Sequence, residues 1–135
     1  MGLFTKERWH PSEEVKELVC RGADIRGRNV KELYEKSKFY TASKLFGMGG
    51  ITFSKKMIIF SNKVTSSNNA YWQAELIYHE LVHVAQQVTL PQGWVGFIAT
   101  YTWEWVRAGF KYQNMKKSGL EEEAYRLQKI FSQSI

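Results

Sequence analysis

Tyr78-His79-Glu80-Leu81-Val82-His83-Val84-Ala85-Gln86-Gln87 holds two of the chain's three histidines, four residues apart, with a glutamate directly after the first. On a helix of about 3.6 residues per turn, positions i and i+4 lie one above the other. His79 and His83 can therefore offer two imidazole nitrogens to one ion while Glu80 flanks it. The spacing H-E-x-x-H reads as part of a zinc site carried on one helix. An amphipathic helix with two chance histidines is the plainer reading. A chain that has only three histidines and spends two of them at this spacing favours the metal.

Working outward, the polar run Ser66-Ser67-Asn68-Asn69 supplies caps, and the spacing predicts a helix over about 70–88, ended by Pro91 and Gly93. Trp72, Leu76, His79, His83 and Gln86 or Gln87 fall along one stripe, which sets the imidazoles among large apolar groups. Such burial favours neutral, rigidly aimed rings. No Lys or Arg occurs from Val64 to Val106, as expected around a buried helix. Downstream, Trp94, Phe97, Ile98, Tyr101 and Trp105 recur at i+3 and i+4 within the aromatic stretch from Trp94 to Phe110. That pattern predicts an amphipathic helix packed on the first. An interfacial membrane helix is the alternative, but the only charges are Glu104 and Arg107, without a Lys-rich polar face.

After a polar connection from Lys111 to Gly119, a last helix over about 120–132 begins with Glu121, Glu122 and Glu123. Three glutamates at a helix start complement its dipole. Each is also a candidate third ligand, because a catalytic zinc takes three protein ligands and keeps a fourth position open.

Upstream, from about Phe39, Tyr40, Ala42, Lys44 and Phe46 alternate with Thr41, Ser43 and Leu45 until Gly47, Gly49 and Gly50 interrupt. Ile51 to Ser54 and Met57 to Ser61 follow, joined by Lys55 and Lys56. The expectation is a small antiparallel sheet of two or three strands packed on the motif helix. Its edge either pairs with an extended peptide or only covers the core. Residues 1–11 read as an irregular lead-in anchored by Trp9, and nothing local marks His10 as a ligand. Ser12 caps a helix carrying Val15, Leu18 and Val19, with Gly22 as its stop. Asn29, with Glu32 three residues on, caps a second carrying Val30, Leu33 and Tyr34. The fold class is thus α+β, with residues 1–38 as a helical scaffold segment and 39–135 as the core, together one compact domain.

The single Cys20 excludes an internal disulfide and fits a reducing cytosol. Lys6, Glu7 and Arg8 interrupt any signal-peptide pattern, and no apolar run is long enough to span a bilayer. A cytoplasmic location is the default, with export by a non-classical secretion system as the alternative. The net charge is +6; residues 1–65 hold thirteen Lys and Arg against seven Asp and Glu, while residues 66–135 hold six of each. Acidic residues are interspersed among the basic ones, so this reads as a solvated surface and no nucleic-acid partner is expected.

The run His79 to Gln87, the aromatic helix and Leu120-Glu121-Glu122-Glu123-Ala124-Tyr125 together resemble the small bacterial zincin-like domains with H-E-x-x-H-x-x-Q followed by E-x-E-A-D/Y. These include the domain of unknown function associated with extracellular contractile injection systems. More distantly, the chain is similar to gluzincin metallopeptidases. The resemblance covers about residues 40–130 and implies a minimal zincin-like fold in which the C-terminal helix supplies the third ligand. Its E-x-x-A register implies Glu121 as that ligand, with Glu122 and Glu123 as substitutes. Many gluzincins carry an Asp four residues after this Glu that orients the first His; Tyr125 stands there in this chain.

The implied activity is zinc-dependent hydrolysis of a peptide or protein substrate, with His79, His83 and Glu121 on Zn2+ and Glu80 as general base. Gln86 is a candidate for supporting the ligands, and Tyr101, Tyr112 and Tyr125 have the chemistry to stabilise an oxyanion. The alternative is a catalytically silent zinc domain acting as a protein-binding or secreted effector module.

Overall fold

The structure, a computed structural model, describes residues 6–43, 49–54, 57–109 and 119–135. Strand β1 (Lys6–Arg8) leads into helices α1 (Glu13–Cys20) and α2 (Val30–Lys36), then β2 (Lys38–Ala42), β3 (Gly50–Ser54) and β4 (Met57–Ser61). One short helical turn, α3 (Asn62–Thr65), precedes the long α4 (Ala70–Thr89), which is followed by α5 (Gly93–Arg107) and α6 (Gly119–Ser134). The class is α+β.

Short polar side chains start three of the helices as the sequence leads one to expect. Ser12 accepts from the Val15 N–H at 3.3 Å, Asn29 from Glu32 at 3.1 Å and Asn69 from Trp72 at 3.1 Å. Each satisfies one donor that the first helical turn leaves over, an effect of about 1 kcal/mol. Gly22 has a different role from the one its position suggests. Its φ is not positive, and a Cβ there would meet the Tyr78 ring at 2.6 Å and Phe131 at 2.9 Å. Those two rings stack at 4.3 Å, and the Tyr78 hydroxyl donates to the Ala23 carbonyl at 2.8 Å. Gly22 therefore lets the end of α1 lie against the contact between α4 and α6.

Helix α4 is the centre of the molecule. It packs against α1, α2, α5, α6 and β3, and Gln73, Ala74 and every residue from Ile77 to Gln87 are buried. From Ile77 to Gln87 the helix has no solvent face to carry charge, which accounts for the absence of Lys and Arg from that stretch. Val15, Leu18 and Val19 of α1 and Leu33 and Tyr34 of α2 join the same core as Ile77, Leu81 and Ala85.

The sheet differs from the expected antiparallel sheet of two or three strands. Among the described residues it has four strands in the order β1-β2-β4-β3, with β1/β2 and β3/β4 antiparallel and β2/β4 parallel. The reason is topological: β4 returns between β2 and β3, and the residues of a strand do not encode which neighbour it takes. The lead-in also contains β1, which pairs with β2 and whose Lys-Glu-Arg sequence has no apolar alternation to announce a strand. Trp9, just after it, packs edge-on against Phe39 and Phe60, with the nearer centroid at 5.4 Å. Lys44 and Phe46 lie outside the described residues.

Helix α5 packs on α4 as expected, but it buries less of the stripe Trp94, Phe97, Ile98, Tyr101 and Trp105 than its spacing suggests. Phe97 is its one buried residue, while Trp94, Val95, Ile98, Trp103, Trp105 and Val106 are exposed.

Candidate metal centre

Two turns of α4 and the first turn of α6 build the centre. His79 and His83 project from α4 at helical spacing, with ring centroids 5.1 Å apart. Glu121 comes from the start of α6, and that start is set by two features. Gly119 adopts φ +72°, where a Cβ would also collide with the Glu104 carboxylate, and Glu104 of α5 accepts the Leu120 N–H at 3.0 Å. An acidic side chain from α5 thus fixes where α6 begins and aims Glu121 inward.

Glu121 Oε1 lies 3.0 Å from His79 Nε2 and 3.1 Å from His83 Nε2, and one ligand atom from each of the three residues falls within 4.8 Å of the others. Ligands bonded at about 2.0 Å to a tetrahedral ion stand roughly 3.3 Å apart, so Glu121 Oε1 lies near ligand-to-ligand distance from both imidazole nitrogens. All three residues are buried. His10 is exposed on the lead-in and takes no part.

The outer hydrogen bonds aim the lone pairs. Gln86 Nε2 donates to the Leu120 carbonyl at 3.0 Å and to Glu123 Oε1 at 2.8 Å, both of which only accept. Its Oε1 must therefore face His83 Nδ1, 2.8 Å away, which puts the proton on Nδ1 and leaves Nε2 to the centre. Gln128 Oε1 does the same for His79 Nδ1 at 2.9 Å. This is the tautomer a metal bound through Nε2 requires, and the residues present fit a divalent cation.

Electrostatics agree with the geometry. Burial pushes the Glu121 carboxyl up, but hydrogen bonds from His79 and His83 outweigh it and hold the group well below the usual carboxylate range. Burial lowers the His83 pKa, yet the hydrogen bond to Glu121 and the charge of Glu80 raise it from 6.5 to about 9. Burial, followed by the Glu121 charge, keeps the Tyr101 hydroxyl protonated, and it donates to Glu121 Oε2 at 2.6 Å.

A proton and a metal ion compete for His83 Nε2. The protonated pair stabilises the metal-free fold fully below pH 6.5, and that stabilisation is lost as pH rises through 9. Metal affinity runs the other way. The increase in melting temperature on adding zinc should therefore grow steadily between pH 6.5 and pH 9. Equal increments across that range, read by scanning fluorimetry, would show that no His83 proton is displaced.

The three glutamates separate cleanly. Glu121 enters the centre. Glu122 turns outward to Arg126 at 3.2 Å, and Glu123 accepts from Gln86 and pairs with Arg26 Nη1 at 2.9 and 3.1 Å. Arg26 is itself tied to Thr89 at 2.7 Å. A chain of polar contacts thus runs from His83 through Gln86 and Glu123 to Arg26 in the loop between α1 and α2. Glu123→Ala should leave the Gln86 amide held by the Leu120 carbonyl alone and weaken metal binding by up to about 10-fold. Competition against a chromophoric chelator reads the affinity, and imidazole nitrogen resonances should show His83 in mixed tautomers.

Of the other candidates, Tyr101 has its hydroxyl engaged by Glu121, and Tyr125 lays its ring against His79 at a centroid distance of 4.5 Å. Tyr112 lies outside the described residues. Gln128 and Thr52 are additions. Gln128 falls seven residues after Glu121, on the same face of α6, so the helical period pointed to it. Thr52 of β3 donates to Glu80 Oε1 at 2.8 Å and contacts the Glu80 carbonyl oxygen at 3.2 Å. Gln87, four residues after His83 on the same stripe, is buried, and neither atom of its side-chain amide has a hydrogen-bond partner among the described residues.

Compared with protein-family models, curated proteins and solved structures, the chain shows no match. The reading of the centre therefore rests on these side chains. A buried His79, His83 and Glu121 group can hold a metal ion.

Proposed function

We propose that the chain is a zinc-dependent metallopeptidase of the zincin-like type, with His79, His83 and Glu121 as the zinc ligands. Two imidazoles and a carboxylate suit zinc, and three protein ligands leave a coordination position for the reaction. The observation that carries the catalytic reading is the placement of Glu80. Thr52 holds one of its carboxylate oxygens, and the other, Oε2, stands 4.0 Å from His79 Nε2 beside the ligand trio. A centre that only held metal has no use for a carboxylate there.

Zinc, when bound, supplies a Lewis acid that polarises the scissile carbonyl and lowers the pKa of a water molecule toward about 7. The remaining work belongs to the chain. Glu80 Oε2 takes the proton from the attacking water and returns it to the leaving amine. Thr52 keeps that carboxylate oriented, and Tyr101 holds the second oxygen of Glu121 so that Oε1 faces the imidazoles. Strand β3 is the last strand of the sheet and carries Thr52, so an extended peptide pairing with its outer edge lies beside Glu80.

The test is incubation of the zinc-loaded protein with a peptide mixture, with products read by mass spectrometry. Cleavage that a chelator abolishes and zinc restores is the expected result. One observation favours the second reading, a silent zinc domain that binds a protein partner: His79, Glu80, His83 and Glu121 are each at most 6% exposed. Metal-loaded protein that leaves every peptide intact would support that reading instead.

A further inference from the structure

Among the described residues, Gln87 is the one buried polar side chain of α4 that nothing engages. It is 1% exposed, and neither atom of its side-chain amide has a hydrogen-bond partner. The other buried amides of the helix are satisfied: Gln73 donates to the Val64 and Ser67 carbonyls at 2.9 and 3.0 Å, and Gln86 bonds His83, Leu120 and Glu123. Burying an amide gives up its bonds to water, and folded proteins leave few such groups unmatched. A methionine of similar length would fill the space without that loss, so packing alone does not account for a glutamine.

We infer that Gln87 binds the substrate by pairing with an amide group: its carbonyl accepts the substrate N–H while its own N–H donates to the substrate carbonyl. The identity of the substrate as a peptide rests on the reading above. Helix geometry places the residue beside the reaction. At about 100° per residue, Glu80 stands roughly 60° to one side of His83 and Gln87 roughly 40° to the same side. Gln86 lies roughly 60° to the other side, where it meets α6. Gln87 therefore continues the stripe of the general base. Along the helix axis it is about 6 Å beyond His83 and about 10 Å beyond Glu80, the span of about two or three residues of extended chain. A peptide with its reacting carbonyl beside Glu80 thus brings a group two or three residues away within reach of Gln87.

Hydrogen-bond chemistry selects an amide as the group that fits. A carboxylate only accepts and an ammonium or guanidinium only donates, so either leaves half of the glutamine amide unmet and buries a charge as well. An amide meets both halves at once. It comes from the main chain of any peptide or from an Asn or Gln side chain. Helix α5 is the cover that a shift would lift from this stripe. It leaves α4 through Gln92 and Gly93, at φ 68° and 55°, and Phe97 is its one buried residue. Phe97 and Tyr101 lie on the His83 ring, with centroids at 5.7 and 5.9 Å.

Two measurements on the full chain test this. The first needs no ligand: Gln87→Met and Gln87→Leu should each raise the melting temperature by at least about 2 °C, because an idle buried amide is replaced by apolar atoms. An unchanged or lower value in both variants would show that the amide has a partner inside the protein and would overturn the inference. The second is titration of the zinc-loaded chain, followed by nuclear magnetic resonance, with acetyl-hexaalanine amide and with the same peptide carrying one Gln. The parent should bind at least about tenfold more tightly than either variant. Binding of the all-alanine peptide marks the main chain as the source of the amide, and binding of the Gln peptide alone marks a side chain. Equal affinity in parent and variants, or no binding of either peptide to the parent, would overturn the inference. Cleavage bears on the other claim. Binding that depends on Gln87 without cleavage keeps this site and counts against the peptidase, whereas cleavage indifferent to Gln87 does the reverse. For a peptide that is cut, the loss in the variants should fall on KM rather than on kcat.

Discussion

Glu80→Gln should keep its zinc and lose about 10²- to 10⁴-fold in peptide hydrolysis, the range that a positioned general base contributes. The substitution is nearly isosteric, and the amide oxygen can still accept from Thr52 as Oε1 does at 2.8 Å. What disappears is the basic oxygen beside His79. Zinc content and melting temperature should match the parent, which separates lost chemistry from lost structure. Turnover within a few-fold of the parent would remove Glu80 from the mechanism. Glu80→Ala is the less informative variant, because it also leaves the buried Thr52 hydroxyl without its carboxylate partner.

Glu121→Ala should have the second large effect, this time on the metal. Its carboxylate receives His79, His83 and the Tyr101 hydroxyl, and the residue is 2% exposed, so solvent does not replace it. Zinc affinity should fall beyond the roughly 100-fold limit expected for removing a supporting residue. The ordering across the three adjacent glutamates is the sharper statement. Glu121→Ala should cost most and Glu123→Ala an intermediate amount, because Glu123 acts through Gln86. Glu122→Ala should change affinity less than about twofold, since it removes only a solvent-screened pair with Arg126. Competition titrations on the three variants check this, and a larger loss at Glu122 than at Glu121 would contradict the geometry of α6. The Glu121 variant should also lose the zinc-dependent rise in melting temperature, because metal bound only by the native state stabilises it.

The parts of this molecule that were legible in its residues are those that local chemistry decides. Ser12, Asn29 and Asn69 mark helix starts because a side-chain oxygen three residues ahead of a backbone N–H is a short-range relation. The His79/His83 pair is legible for the same reason, since one helical turn suffices to bring the rings together. Glu121 is different. Composition offers three equivalent glutamates, and the one that enters the centre is chosen by Gly119 and Glu104, which set the start of α6 from outside it. Thr52 and Arg26 were hidden because their partners lie 28 and 97 residues away, at Glu80 and Glu123. The order of the sheet was hidden too, since β4 can insert between β2 and β3 without any change in the alternation of either strand. On α5, periodicity showed which residues share a face, but not that α4 would cover so little of it.

The most direct measurement is the zinc content of the full chain, purified without added metal and read by plasma mass spectrometry. The arrangement of His79, His83 and Glu121, with Gln86 and Gln128 holding both Nδ1 protons, predicts about one zinc per chain. A chain that carries none, and takes up none on reconstitution and dialysis, would contradict it and leave three buried groups joined only by their hydrogen bonds.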